Sequence, residues 1–199
     1  TGIRVFARTP ALRILMLANV VVAAGTAVVL VNSVVYARAV FRLDDAALAL
    51  ALGCYGVGSL AAALSVPWLV DRFGVIRTML AGSAVIVAGL AAAVFVTGML
   101  AAGPAGWPAL LAAWAVLGMG TSLVNTPSSR LLADSSTPAN RNLVYTAQFA
   151  LSHACFLITY PIAGWLGEGS LLGAAGCLTL LAAAGFAAAL AQTRKNGGS

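Results

Sequence analysis

Charge is what this sequence has least of: only 8% of its 199 residues are Asp, Glu, Lys or Arg, while 61% are hydrophobic. A soluble domain of that length needs a polar shell that eleven basic and five acidic side chains cannot supply. With a mean hydropathy of +0.99, lipid rather than water must be the main solvent. Cysteine is also scarce. Cys54, Cys155 and Cys177 are too far apart for a zinc-ribbon or CxxC redox pattern, disulfides are not expected, and Cys54 and Cys177 read as small buried hydrophobes. The five carboxylates, Asp44, Asp45, Asp71, Asp134 and Glu168, all fall near predicted helix ends and none in the middle of an apolar run. The net charge of +6 is spread thinly, with no basic run interleaved with aromatics, so a nucleic-acid partner is excluded.

What is present is a series of apolar runs, each near the roughly 20 residues that a helix needs to cross a bilayer. Six emerge, at 12–36, 46–70, 78–100, 109–132, 143–166 and 171–191. They are separated by the polar stretch around Arg42, Asp44 and Asp45, by the loop at 71–77, by the Pro104 and Pro108 turn, by the polar connection 134–141 and by Gly167-Glu168-Gly169-Ser170. The whole chain, 1–199, reads as one all-α six-helix transmembrane domain. The first run is too long for a cleavable signal peptide and contains Asn19 and Asn32, and the residues at either end suggest a fragment.

Six spans put both termini on one side. That side carries Arg4, Arg8, Arg13, Arg72, Arg77, Arg130, Arg141, Arg194 and Lys195, against Arg38 and Arg42 on the other. The positive-inside rule therefore predicts cytoplasmic termini and a multi-pass protein of the plasma membrane, the inner membrane in a bacterium. The third and sixth spans, almost free of polar side chains, are expected at the lipid-facing periphery. The first, fourth and fifth carry Asn19, Asn32, Asn125, Gln148, Ser152 and His153, polar groups costly enough in lipid to point inward.

The connection after the second span, Pro67-Trp68-Leu69-Val70-Asp71-Arg72-Phe73-Gly74-Val75-Ile76-Arg77, resembles the signature loop of the major facilitator superfamily, G-x-x-x-D-R-x-G-R-[RK]-x, in the copy between helices eight and nine. Pro67 replaces the leading glycine, and Val75 and Ile76 replace basic positions. The approach from Leu50 to Leu60 is similar to that family's eighth helix, so the chain matches helices seven to twelve. The resemblance implies half of a transporter, built from two inverted three-helix repeats, that works by alternating access around a midplane site. It implies as partner a second six-helix half, a missing N-terminal one or another copy, and a loop at Asp71, Arg72, Gly74 and Arg77 that changes contacts during rocking. From the residues alone, Asp71 before a helix is placed to cap it, with Arg72 and Arg77 as surface anchors.

Candidate pathway residues are Asn19, Asn32, Asn125, Gln148, Ser152, His153 and Tyr160. The single histidine, His153, lies roughly 18 Å into the fifth span at 1.5 Å per residue. With Cys155 it offers N and S donors for nickel, cobalt or zinc, although positions i and i+2 point to different faces of a helix. The stretch 147–166 is similar to the matching helix of nickel-resistance permeases in the same superfamily. Asn19 and Asn32, thirteen residues apart near one face of the first span, either contact a polar substrate or bond to an adjacent helix; Asn125 is followed by Pro127, which frees a carbonyl. The expected function is secondary transport, efflux of a small solute or divalent metal coupled to protons through His153 or a carboxylate of the other half, with no cofactor. An intramembrane Ser/His protease lacks its glycine after Ser59 and an oxyanion set; aquaporin signatures are absent. A structural subunit is the remaining alternative.

Overall fold

In lipid a backbone must satisfy its own hydrogen bonds, and long apolar runs do so as helices. The computed structural model describes residues 2–197, and all of its regular structure is helical: α1 (Gly2–Arg8), α2 (Pro10–Val40), α3 (Asp45–Phe73), α4 (Val75–Leu100), α5 (Gly106–Asp134), α6 (Arg141–Gly169) and α7 (Leu171–Gly197). The six from α2 onward are long and apolar enough to span a membrane. Among the described residues there is no strand. The architecture is an all-helical bundle with six candidate spans, consistent with the six-helix half expected from the sequence, and a short leading helix that carries too few residues to show as a run.

Local chemistry sets the boundaries. Pro10 starts α2 at a position where its missing N–H costs nothing. The Asp44 carboxylate accepts from the Ala47 N–H at 3.1 Å and caps α3, and the Ser170 hydroxyl accepts from Gly173 N–H at 3.0 Å at the start of α7. Gly74 alone separates α3 from α4; its φ of 84° is the left-handed break that a glycine permits. The predicted seven-residue link is thus a single residue, because Asp71, Arg72 and Arg77 are all exposed at helix termini and continue the helices up to the break. The last turns of α2, α4 and α6 widen into π-helix at Tyr36–Val40, Val96–Leu100 and Ile162–Leu166, all at the end of the bundle opposite the termini.

The packing crosses between the two halves of the sequence. The second helix of the first triplet, α3, lies mainly on α5, and its counterpart α6 lies on α2; α4 packs on α5, α7 on α2, and α4 meets α7. This is the exchange expected of two three-helix repeats related by a pseudo-twofold axis. Helix α2 is the centre, 72% buried over its apolar window, whereas α3 and α6 are only 17% buried and form the barest surface of the bundle.

Two different kinds of contact hold the related interfaces. Between α3 and α5 the backbones touch: a Cβ on Gly58 would stand 1.9 Å from the Ala115 carbonyl oxygen, and one on Gly118 1.9 Å from that of Tyr55. Between α2 and α6 side chains bridge at three depths. Asn19 and Gln148 exchange amide bonds of 3.1 and 3.2 Å, Thr159 donates to Ala23 O at 3.1 Å, and Asn32 donates to Ala163 O at 3.0 Å. Trp114, fully buried on α5, donates to Ser33 at 2.6 Å and stands edge-on to Tyr36, whose hydroxyl reaches Thr97 at 2.6 Å. The Thr97 hydroxyl donates to Ala93 O, so Tyr36 is the donor of that pair.

Candidate functional site on the exposed face of α5 and α6

At about 100° per residue, the two sides of α6 have different chemistry. Val144, Ala147, Cys155, Thr159 and Ala163 are buried, and the bonds above turn this seam toward α2. Away from it runs a ladder of rings spaced i, i+4, i+7, i+11. Phe149 and His153 stack at 4.0 Å between centroids, His153 meets Phe156 at 6.1 Å, and Phe156 meets Tyr160 at 5.3 Å. Phe149 and His153 are exposed and the other two half-buried. Tyr55, half-buried on α3, packs against the same core cluster as Tyr160. Toward the terminal end, Tyr145 donates to Ser129 O of α5 at 3.2 Å, which fixes α5 as the neighbour on this side of α6.

Helix α5 presents exposed Asn125, Thr126 and Ser129 there, each bonded only within its own helix or to Tyr145. Counted from the terminal-side helix ends at about 1.5 Å per residue, Asn19, Asn125 and Gln148 all lie roughly 10 to 14 Å deep. Asn19 is 5% exposed and sits behind Gln148. The face therefore offers amides, hydroxyls and aromatic edges, and no carboxylate, since all five acids are exposed at helix ends.

His153 has a defined role for each nitrogen. Its Nδ1 lies 2.8 Å from the Phe149 carbonyl oxygen, which can only accept, so in the neutral ring Nδ1 carries the proton and Nε2 is left with a lone pair. Ser152 donates to Phe149 O at 3.0 Å and touches the same Nδ1 at 3.4 Å.

The seven sequence candidates divide. Ser152, His153 and Tyr160 lie along the aromatic side of α6, Gln148 stands half-buried on the α2-facing seam in the amide pair with Asn19, and Asn125 is exposed on α5. Asn32 is apart from them: it is buried, its amide engaged by the last turns of α6, and a side chain on Gly167 would strike it at 2.5 Å. Cys155 faces away from His153, in an apolar cavity of about 220 Å³ with Met16, Val20 and Ile158. Among the described residues no three His, Cys, Asp or Glu groups come together to hold a metal ion. Sequence reading missed Tyr145, Phe149 and Phe156, which recur at helical spacing with His153 and Tyr160, and Tyr55 of α3, which no spacing marks. It also missed Thr26 and Thr121, buried hydroxyls on the two central helices without a protein partner.

The loop at 71–77, reduced to Gly74, also differs from expectation in its capping. Asp71 does not cap α4, whose first turn has no side-chain cap; it sits in the last turn of α3, three residues before the break. A carboxylate there opposes the helix dipole, and Arg130 of α5, 3.8 Å away, offsets it. Both side chains are largely exposed, so the pair contributes little to stability. Asp71→Asn is expected to change thermal unfolding of the purified protein by less than about 1 kcal/mol. A larger loss would mean that the pair is sheltered in the working protein.

The sequence model described as Major Facilitator Superfamily matches residues 15–198, nearly the whole chain and all six spans. Comparison with curated proteins and with solved structures finds no match. Members of that family are typically membrane transporters. The chain belongs to the major facilitator superfamily.

Proposed function

We propose that this chain is one six-helix half of a secondary active transporter that exports a small, partly aromatic organic solute by alternating access. The observation that carries the reading is the ring ladder from Phe149 to Tyr160, with Asn125 exposed on the neighbouring α5 and the Gln148 amide half-buried at a similar depth on the α2 side of α6. Stacking surfaces with a few amides suit a flat solute with polar edges. A face without carboxylates gives a divalent cation nothing to neutralise it. His153 is placed to couple transport to protons, because its Nε2 is free to take one up while Nδ1 stays on the Phe149 carbonyl. The partner is a second six-helix half, in the same polypeptide or another copy, seated over α3 and α6. Exposed Leu50, Val57, Leu60 and Leu64 on one and Leu157 and Ile158 on the other supply its contact surface. The excess of Arg and Lys on the terminal side supports cytoplasmic termini in the plasma membrane, the inner membrane in a bacterium.

The test is accumulation of labelled solutes in cells expressing the full-length protein, with a panel of neutral aromatic compounds and with nickel and cobalt ions. Lower accumulation of an aromatic solute is expected, abolished by His153→Ala and retained with Cys155→Ala. His153→Phe, which keeps the stack and removes the titrating nitrogen, should still bind the solute but lose its dependence on the proton gradient. Lower accumulation of metal alone would replace this reading with metal efflux. No change for any compound would overturn export.

A further inference from the structure

A cavity away from the aromatic face lies at the end of the bundle that carries the termini. It measures about 630 Å³ and is walled by Thr9, Pro10 and Ile14 of the leading segment, Phe73 to Arg77 across the α3–α4 break, and Thr193 near the end of α7. That is the volume of a ligand pocket, and its walls are mainly apolar. Every segment contributing to it also carries an arginine. Arg77 is in the wall, and Arg8, Arg72 and Arg194 are exposed and lie one residue along the chain from a wall residue; Arg13 instead lines a separate cavity with Phe6 and Leu151. The nearest carboxylate, Asp71, is engaged with Arg130. The first turn of α4, which forms one side, has no side-chain cap over its free N–H groups.

We propose that this groove holds an anionic phospholipid of the leaflet on the terminal side, its acyl chain along Ile14, Phe73 and Ile76 and its phosphate among the arginines. An apolar slot opening between membrane-spanning helices, ringed by positive charge at headgroup depth, matches such a lipid in both parts. Neutral lipid gains only the slot, and soluble phosphate gains only the charge. The occupant would join the start of α2, the α3–α4 break and the end of α7. The assignment of the leaflet as cytoplasmic rests on the topology proposed above; the site itself does not.

Native mass spectrometry of the delipidated full-length protein, titrated with dioleoyl-phosphatidylglycerol or dioleoyl-phosphatidylcholine, reads the site directly. Phosphatidylglycerol should be retained in preference. The triple variant Arg72→Gln/Arg77→Gln/Arg194→Gln should lower its affinity about a hundredfold, at about fivefold for each arginine lost. Ala11→Trp, which fills the slot and keeps the charge, should also release it, whereas Arg38→Gln/Arg42→Gln at the opposite end should not. Equal retention of both lipids overturns the proposal, and so does an equal loss from the two arginine variants, which would mean charge attraction without a site. Size-exclusion elution unchanged from the parent shows that each variant is folded. Because purified protein is used, lipid selectivity is read independently of orientation and cargo; thiol labelling of Ser135→Cys in intact cells tests the topology separately.

Discussion

Gly58→Leu and Gly118→Leu are each expected to abolish the folded protein, and even the alanine variants to cost about 3 kcal/mol, at the upper end for overpacking. The added carbon would stand 1.9 Å from a carbonyl oxygen in both places, on Ala115 and on Tyr55. Those atoms are backbone, so no rotamer change relieves the contact. The helices themselves must move apart, giving up dispersion contacts along the whole seam, and in lipid no hydrophobic term compensates. Gly53→Ala and Gly56→Ala on the same helix provide the control, because nothing lies within 4 Å of a Cβ at either position. They should leave thermal unfolding unchanged or raise its midpoint through the better helix propensity of alanine, worth about 0.5 to 1 kcal/mol. Since Gly58 and Gly118 serve one seam, the double alanine variant should cost less than the sum of its parts. Equal damage from all four single alanine variants would show that α3 and α5 do not pack through these glycines.

How much of this was legible in the sequence depends on the kind of force involved. The six spans follow from length and apolarity, and each predicted run falls within an observed helix. The ends were read too short where charged residues stand on the last turn: Asp71 and Arg72 look like loop in a hydropathy profile, yet they continue α3 to Gly74. Helix α1 has seven residues and no span, and only the buried Phe6 marks it as packed. Family resemblance supplied the pairing of repeats; hydropathy contains no information about which span touches which. At the candidate face, Gln148 and His153 stand out because polarity in lipid is conspicuous. Phe149, Phe156 and Tyr55 do not, because an aromatic ring in an apolar run looks the same whether it meets lipid, core or solute. Asn32 is the opposite case, a conspicuous amide that ties α2 to the last turns of α6 inside the bundle.

The two related interfaces, one built on glycine and one on amides, bear on the path of the solute. A seam of touching backbones is rigid, since separating it even slightly forfeits its contacts. One bridged by side chains at three depths can exchange partners, and Gln148, half-buried at its edge, has an N–H and a lone pair left after pairing with Asn19. Gln148→Leu is therefore expected to damage two properties at once. Stability should fall by about 1 to 3 kcal/mol, because Asn19 is left buried without its partner. Asn19→Leu/Gln148→Leu, with no orphaned amide, should recover most of that loss in thermal unfolding. Transport should remain roughly tenfold below the parent in both variants, the ordinary worth of one hydrogen bond to a solute. Transport that recovers along with stability in the double variant would reduce the pair to a structural tie between α2 and α6. It would leave the ring ladder, Asn125 and the neighbouring hydroxyls as the groups of this face available to the solute. The split outcome, a refolded protein that still does not transport, would place the Gln148 amide on the solute's path.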